Sequence, residues 1–128
     1  MQKLYIKRLE SFKKSLSNIE NAKSEDKTNL VVLSGVIMMF NLSFDLAWKL
    51  IKDILNENYG LYDFPSGSPR ETLKKAASVG LIDDDKWFDM LDDRNDLMHD
   101  YDYDFDFATK KYDMIINTYL PLLQELAN

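Results

Sequence analysis

Residues 29–58 read NLVVLSGVIMMFNLSFDLAWKLIKDILNEN. Leu33, Ile37, Phe40, Phe44, Trp48, Ile51 and Leu55 step by three or four without a miss, the period of an α-helix with one face turned to a core. At 1.5 Å per residue such a helix is roughly 45 Å long. Gly60 ends it. The stripe containing Phe44 and Trp48 reads as packing material, not as a cofactor box.

The flanking segments carry the same period. A first helix runs from about Lys3 to Asn21, with Leu4, Leu9, Phe12, Leu16 and Ile19 on its buried stripe. Ser24 to Thr28 is a polar turn. After a loop from Tyr59 to Gly67, Ser68-Pro69-Arg70-Glu71 opens a third helix. Serine is the cap, proline the first helical residue, and glutamate stands where a capping box places it. Gly80 closes that short helix. Asp83-Asp84-Asp85 start a fourth at the positive end of its dipole, with Trp87, Met90, Leu91, Arg94 and Met98 along one side. Asp100 to Asp106 is a linker. The alternation from Asp100 to Phe107 mimics a strand, but no second strand exists to pair with it. It reads as a loop with aromatics on the bundle and aspartates in water. The last helix runs from about Phe107 to Leu126, with Tyr112, Ile115, Ile116, Tyr119, Leu122 and Leu126 inward. Pro121 should kink it or remove one hydrogen bond. Short connections favour antiparallel neighbours. The fold expected is all-α: one domain over residues 1–128, an up-and-down bundle of four main helices plus one short one.

Composition narrows the function classes. Of 128 residues 45% are apolar, enough for a real core, and none is cysteine. Disulfides, thiolate nucleophiles and zinc knuckles are therefore out. The N-terminus lacks the apolar core of a signal peptide. The run Leu30 to Phe40, broken by Ser34 and Gly35, reads as too short to span a bilayer. A cytoplasmic protein with no membrane partner is expected. The net charge of −6 argues against an ordinary DNA- or RNA-binding face. Contact with RNA would have to be local, or built by two copies; DNA is not an expected partner. The many carboxylates lack a second histidine or a spaced ligand set, so neither a metal nor a cofactor is expected.

The chemistry sits in Met90-Leu-Asp-Asp-Arg-Asn-Asp-Leu-Met-His-Asp-Tyr-Asp102. His99 is the only histidine in the chain. Arg94 precedes it by five residues and Tyr101 follows by two. Arginine offers a permanent charge and a planar donor fork for phosphate. Histidine trades a proton near neutral pH. Together they suit cleaving or holding a phosphodiester without a metal. Arg94 and His99 stand about 140° apart around an ideal helix, whereas Asn95 and His99 share a face. A symmetric dimer resolves the mismatch, because a second copy brings its own Arg and His to a shared cleft. The bland alternative is a surface ion pair, with Asp92, Asp93 and Asp96 as the nearest partners. Tyr101 could equally cap the bundle end.

Four blocks in this order, Phe44-Asp45-Leu46-Ala47-Trp48-Lys49, Ser68-Pro69-Arg70-Glu71, Gly80-Leu81-Ile82-Asp83-Asp84 and Met90 to Asn95 with His99 and Tyr101, resemble the nucleotidyltransferase substrate-binding proteins of the HEPN superfamily. The resemblance extends from Phe12 to Leu123. It implies a homodimer and a partner, a minimal nucleotidyltransferase encoded nearby. In the HepT-like toxin branch it implies a metal-independent endoribonuclease site at the dimer interface, with Arg94 and His99 catalytic and RNA as substrate; Asn95, on the histidine's face, would orient it. It further implies that the partner, acting as antitoxin, silences the toxin by adding AMP to Tyr101. The run Asp100 to Phe107 is more acidic than that branch usually carries. The rival reading is a non-catalytic nucleotide- or substrate-binding subunit that assembles with the nucleotidyltransferase.

Overall fold

The computed structural model describes residues 5–60, 68–99 and 104–128, and for Met98 and His99 the backbone alone. Its elements are α1 (Ile6–Ala22), α2 (Leu30–Tyr59), α3 (Pro69–Ser78), α4 (Lys86–His99), α5 (Phe105–Met114), a π-helical turn (Ile115–Tyr119) and α6 (Leu120–Ala127). The last three form one unbroken rod. The chain is an all-α bundle, as the periodicity predicts.

Local signals set the helix ends. Asp26 Oδ1 accepts hydrogen bonds from the Thr28 backbone and hydroxyl, closing the turn after α1. Asn29 then caps α2 by accepting from the Val31 N–H at 2.8 Å. Gly60 (φ 64°) and Gly80 (φ 79°) adopt the left-handed conformation that ends α2 and α3. Ser68 accepts from the Glu71 N–H at 3.4 Å. The capping box is only half made, because the Glu71 carboxylate turns to Lys74 at 3.5 Å. Asp84 accepts from the Lys86 N–H and starts α4.

Helix α2 is the axis of the bundle and touches α1, α3, α4, α5 and α6. Leu33, Ile37, Phe40, Phe44, Ile51 and Leu55 are fully buried, as the period requires. Trp48 is only partly buried against this core, with Lys49 over its ring. Phe12, Leu16 and Ile19 from α1, Leu73 from α3, Met90 and Leu91 from α4 and Tyr112 from α5 complete the interior. Burying each such large side chain contributes about 1.5–3 kcal/mol. A buried relay from Ser43 through Ser15 to the Phe12 carbonyl ties α1 to α2 at 2.8 and 2.7 Å. By length and hydropathy α2 does meet the test for a membrane-crossing helix, contrary to the reading of a short apolar run. Here one side of that apolar surface builds the core, and the side carrying Val31, Met38 and Leu42 stays exposed.

The last helix departs from expectation in its start and in the form of its turn before Pro121. The last rod begins at Phe105, because Asp104 caps it by accepting from the Phe107 N–H at 2.9 Å. The linker is therefore shorter than expected, and Phe105 is exposed. Pro121, which has no N–H to donate, removes one hydrogen bond as expected, but the helical run continues through it. The helix widens, and the Leu120 N–H bonds to the Ile115 carbonyl five residues back. In a regular α-helix the proline ring would strike the Asn117 carbonyl; the wider turn relieves this. It also shifts the register, so Leu120 and Leu123 are buried while Leu122 and Leu126 are partly so.

Candidate functional site

Three consecutive residues of α4 are each gripped by a different helix. A regular helix turns 100° per residue, so Asp92, Asp93 and Arg94 face three directions. Asp92 accepts from Arg70 of α3 at 2.7 Å. Asp93 accepts from Lys111 of α5 at 3.0 Å and from the Tyr119 hydroxyl of the π turn at 2.5 Å. Arg94 reaches α2, where its Nη2 lies 2.9 Å from both carboxylate oxygens of Asp45.

Arg94 pairs with none of the expected aspartates of its own helix, Asp92, Asp93 or Asp96; its carboxylate is Asp45 of α2. A signal did exist: between Lys27 and Lys49, Asp45 is the only charged residue, and an isolated charge on an apolar helix needs a reason. Arg94 is 23% exposed. Its Nη1 donates to Asn95 Oδ1 at 3.3 Å, so Asn95 is turned to the arginine. Its Nε is buried and has no hydrogen-bond partner among the described residues. The guanidinium is thus steered by one carboxylate and one amide. His99 is the last residue of α4. Its side chain and all of Tyr101 lie outside the described residues.

Asp45 belongs to a second feature. Val31, Gly35, Met38 and Leu42 precede it along α2 at spacings of three and four, which places all five on one face. That face is open: Val31, Met38 and Leu42 are 78%, 70% and 56% exposed. A methyl group added at Gly35 would meet nothing within 4 Å. Large exposed apolar side chains in a row are unusual on a monomer and mark a contact surface. The row leads to the Asp45–Arg94 pair.

Tyr119 supports the site from behind. Its ring stacks on Phe40 of α2 with centroids 5.3 Å apart. Burial first, then the hydrogen bond to Asp93 and the nearby carboxylates, push its phenol far above its ordinary range. Burial and Asp113 raise Tyr112 as well, partly opposed by Lys23. In the unfolded chain a tyrosine ionises near pH ~10, while the folded Tyr119 keeps its proton. Its contribution to stability is complete below that pH and is lost as pH rises above it. Urea midpoints should hold steady to about pH 10 and then fall. Tyr119→Phe should fall less. Parallel curves for the two proteins would remove Tyr119 as the cause.

The fold and the pattern together admit comparison with known proteins. No curated protein matches the chain. A crystal structure of a protein from Thermus thermophilus is similar, with 26% identity and a TM-score of 0.74 over 90% of this chain and 94% of that one. The family model described as "Nucleotidyltransferase substrate binding protein like" matches residues 7–128, which takes in all but the first residue of the helices and the whole Asp45–Arg94 site. The chain belongs to this nucleotidyltransferase substrate-binding family of HEPN-like bundles.

Proposed function

We propose that this protein is the substrate-binding and toxin subunit of a two-component system with a minimal nucleotidyltransferase. Two copies join along the open face of α2 and cleave RNA without a metal. One observation carries the reading: the exposed row Val31, Gly35, Met38 and Leu42 runs into the carboxylate that holds Arg94. A second copy seated on that row brings its own Arg94 and His99 to the same cleft.

The reaction is a transesterification. His99 takes the proton of the ribose 2′-hydroxyl, and that oxygen attacks phosphorus. The bond from phosphorus to the 5′-oxygen breaks, and the leaving oxygen takes a proton from the imidazolium of the second copy or from water. Arg94 stabilises the charge on the phosphorane. The products are a 2′,3′-cyclic phosphate and a free 5′-hydroxyl. The partner adds AMP to Tyr101, which brings phosphate charge to the mouth of the cleft and blocks it. The system works in the cytoplasm.

The test is RNA cleavage by the purified protein in EDTA, active for the wild type and lost in His99→Ala. Activity that disappears with EDTA would point to a metal enzyme or a contaminant. Mass spectrometry after co-expression with the nucleotidyltransferase should find AMP on Tyr101; an unmodified Tyr101 in a silenced pair removes that step. A non-catalytic nucleotide-binding subunit is the second reading. The Asp45 carboxylate on Arg94 favours it, since a neutralised guanidinium stabilises a charged phosphorane less. A wild type that binds but does not cut RNA would establish it.

A further inference from the structure

Trp87, Met90 and Leu91 anchor α4 before Arg94, and Leu97 is buried one turn after it. Polar clasps to three other helices set the fine rotation of the helix between these anchors, and the most buried of these is at Asp93. Both of its oxygens are taken, Oδ1 by Lys111 and Oδ2 by Tyr119. Asp93 is 19% exposed and Lys111 24%. Tyr119 cannot swing away, because its buried ring is stacked on Phe40. It projects from the π turn, a feature that recurs at functional sites.

We propose that Asp93, clamped by Tyr119 and Lys111, is the positioning residue for Arg94, fixing the rotation of α4 that holds the guanidinium against Asp45 at the end of the open α2 face. The importance of this role for catalysis rests on the reading of Arg94 as the phosphate ligand. Geometry gives the scale. A side-chain tip roughly 6 Å from a helix axis moves about 2 Å for a 20° rotation. A misplacement of about 1 Å at a reacting group can slow a reaction ~10²-fold. Burial and the neighbouring carboxylates hold the Tyr119 phenol in its protonated form well above its ordinary range, so at neutral pH its hydroxyl is a donor to the carboxylate.

The chain has three arginines, Arg8, Arg70 and Arg94. Each gives one Nε–H signal in a nitrogen–proton NMR spectrum, assignable by its loss on substitution with lysine. Arg8 pairs with Asp53 between α1 and α2 and is the internal control. Tyr119→Phe keeps the ring and removes the hydroxyl. Asp93→Asn keeps an acceptor and removes the charge that holds Lys111. Both variants should move or broaden the Arg94 signal and leave that of Arg8 in place. On a labelled single-stranded oligoribonucleotide, kcat should fall about 10- to 100-fold with KM within about threefold. If one variant does not fold, the other decides. An Arg94 signal unmoved in both, with melting temperature alone reduced, would mean that the clasp only holds the bundle together, and the proposal fails. If no protein in the set cuts RNA, the ribonuclease reading fails instead. The arginine spectrum then decides positioning by itself: a shift supports it and an unmoved signal overturns it.

Discussion

Arg94→Ala and His99→Ala proteins are each expected to cleave single-stranded RNA in EDTA about 10³-fold more slowly than the wild type, because a positioned proton donor or acceptor supplies ~10²–10⁴ and a charge at the phosphorane ~10²–10³. Arg94→Lys keeps the charge but loses the planar fork and should fall between. Unfolding does not explain the loss at Arg94. Its ion pair with Asp45 is partly exposed, at 23% and 35%, and such pairs contribute about 1 kcal/mol or less. The two dead proteins also interrogate the site together. Where Arg94 from one copy works with His99 from the other, a heterodimer of Arg94→Ala with His99→Ala contains one intact site. Random mixing makes about half the dimers mixed, so about a quarter of wild-type activity should return. No recovery would mean either that both groups act from one copy or that both imidazoles of the dimer are required, and Arg94→Ala activity within a few fold of wild type would take the arginine out of the chemistry.

Much of this fold was legible in the chain, and the division has a physical cause. The period of α2, the Ser68-Pro69 start, the Gly80 stop and the Asp83–Asp85 start are local signals, since each depends on residues within one or two turns. They carried the bundle. The Arg94, Asn95, His99 and Tyr101 pattern likewise reads along one short segment. Contacts between helices are another matter. Asp45 and Arg94 are 49 positions apart, and no period joins them. The π turn was also hidden. Pro121 announced trouble in the last helix, but whether a helix answers by kinking or widening depends on packing. Here a widened turn keeps Tyr119 on both Phe40 and Asp93, contacts that no local rule foresees. Residues Leu33 to Leu55 raised a subtler problem. The buried stripe was plain, yet the opposite face, with Met38 and Leu42, was apolar too. A sequence alone leaves those side chains as more core, and only the packed bundle leaves them exposed.

That exposed face gives the other large effect. The double substitution Met38→Asp and Leu42→Asp should leave a folded monomer that no longer cuts RNA, with Arg94 and His99 both intact. The side chains are 70% and 56% exposed, so the isolated bundle tolerates charge there within about ±0.5 kcal/mol per site. An interface does not. Pressing two copies together would bury unpaired carboxylates at several kcal/mol each, enough to weaken association about 10³-fold or more. Sedimentation should show the wild type as a dimer and the variant as a monomer, with melting temperatures close. Gly35→Ala sharpens the test. In a helix interior alanine is favoured over glycine by about 0.5–1 kcal/mol, and the added methyl meets nothing within 4 Å. The single bundle should therefore gain stability. If a second helix crosses closely at Gly35, the same methyl should weaken the dimer, so stability and association would move in opposite directions. A double-aspartate variant that stays dimeric, or a monomer that retains activity, would show that the open face of α2 is not where the shared site is built.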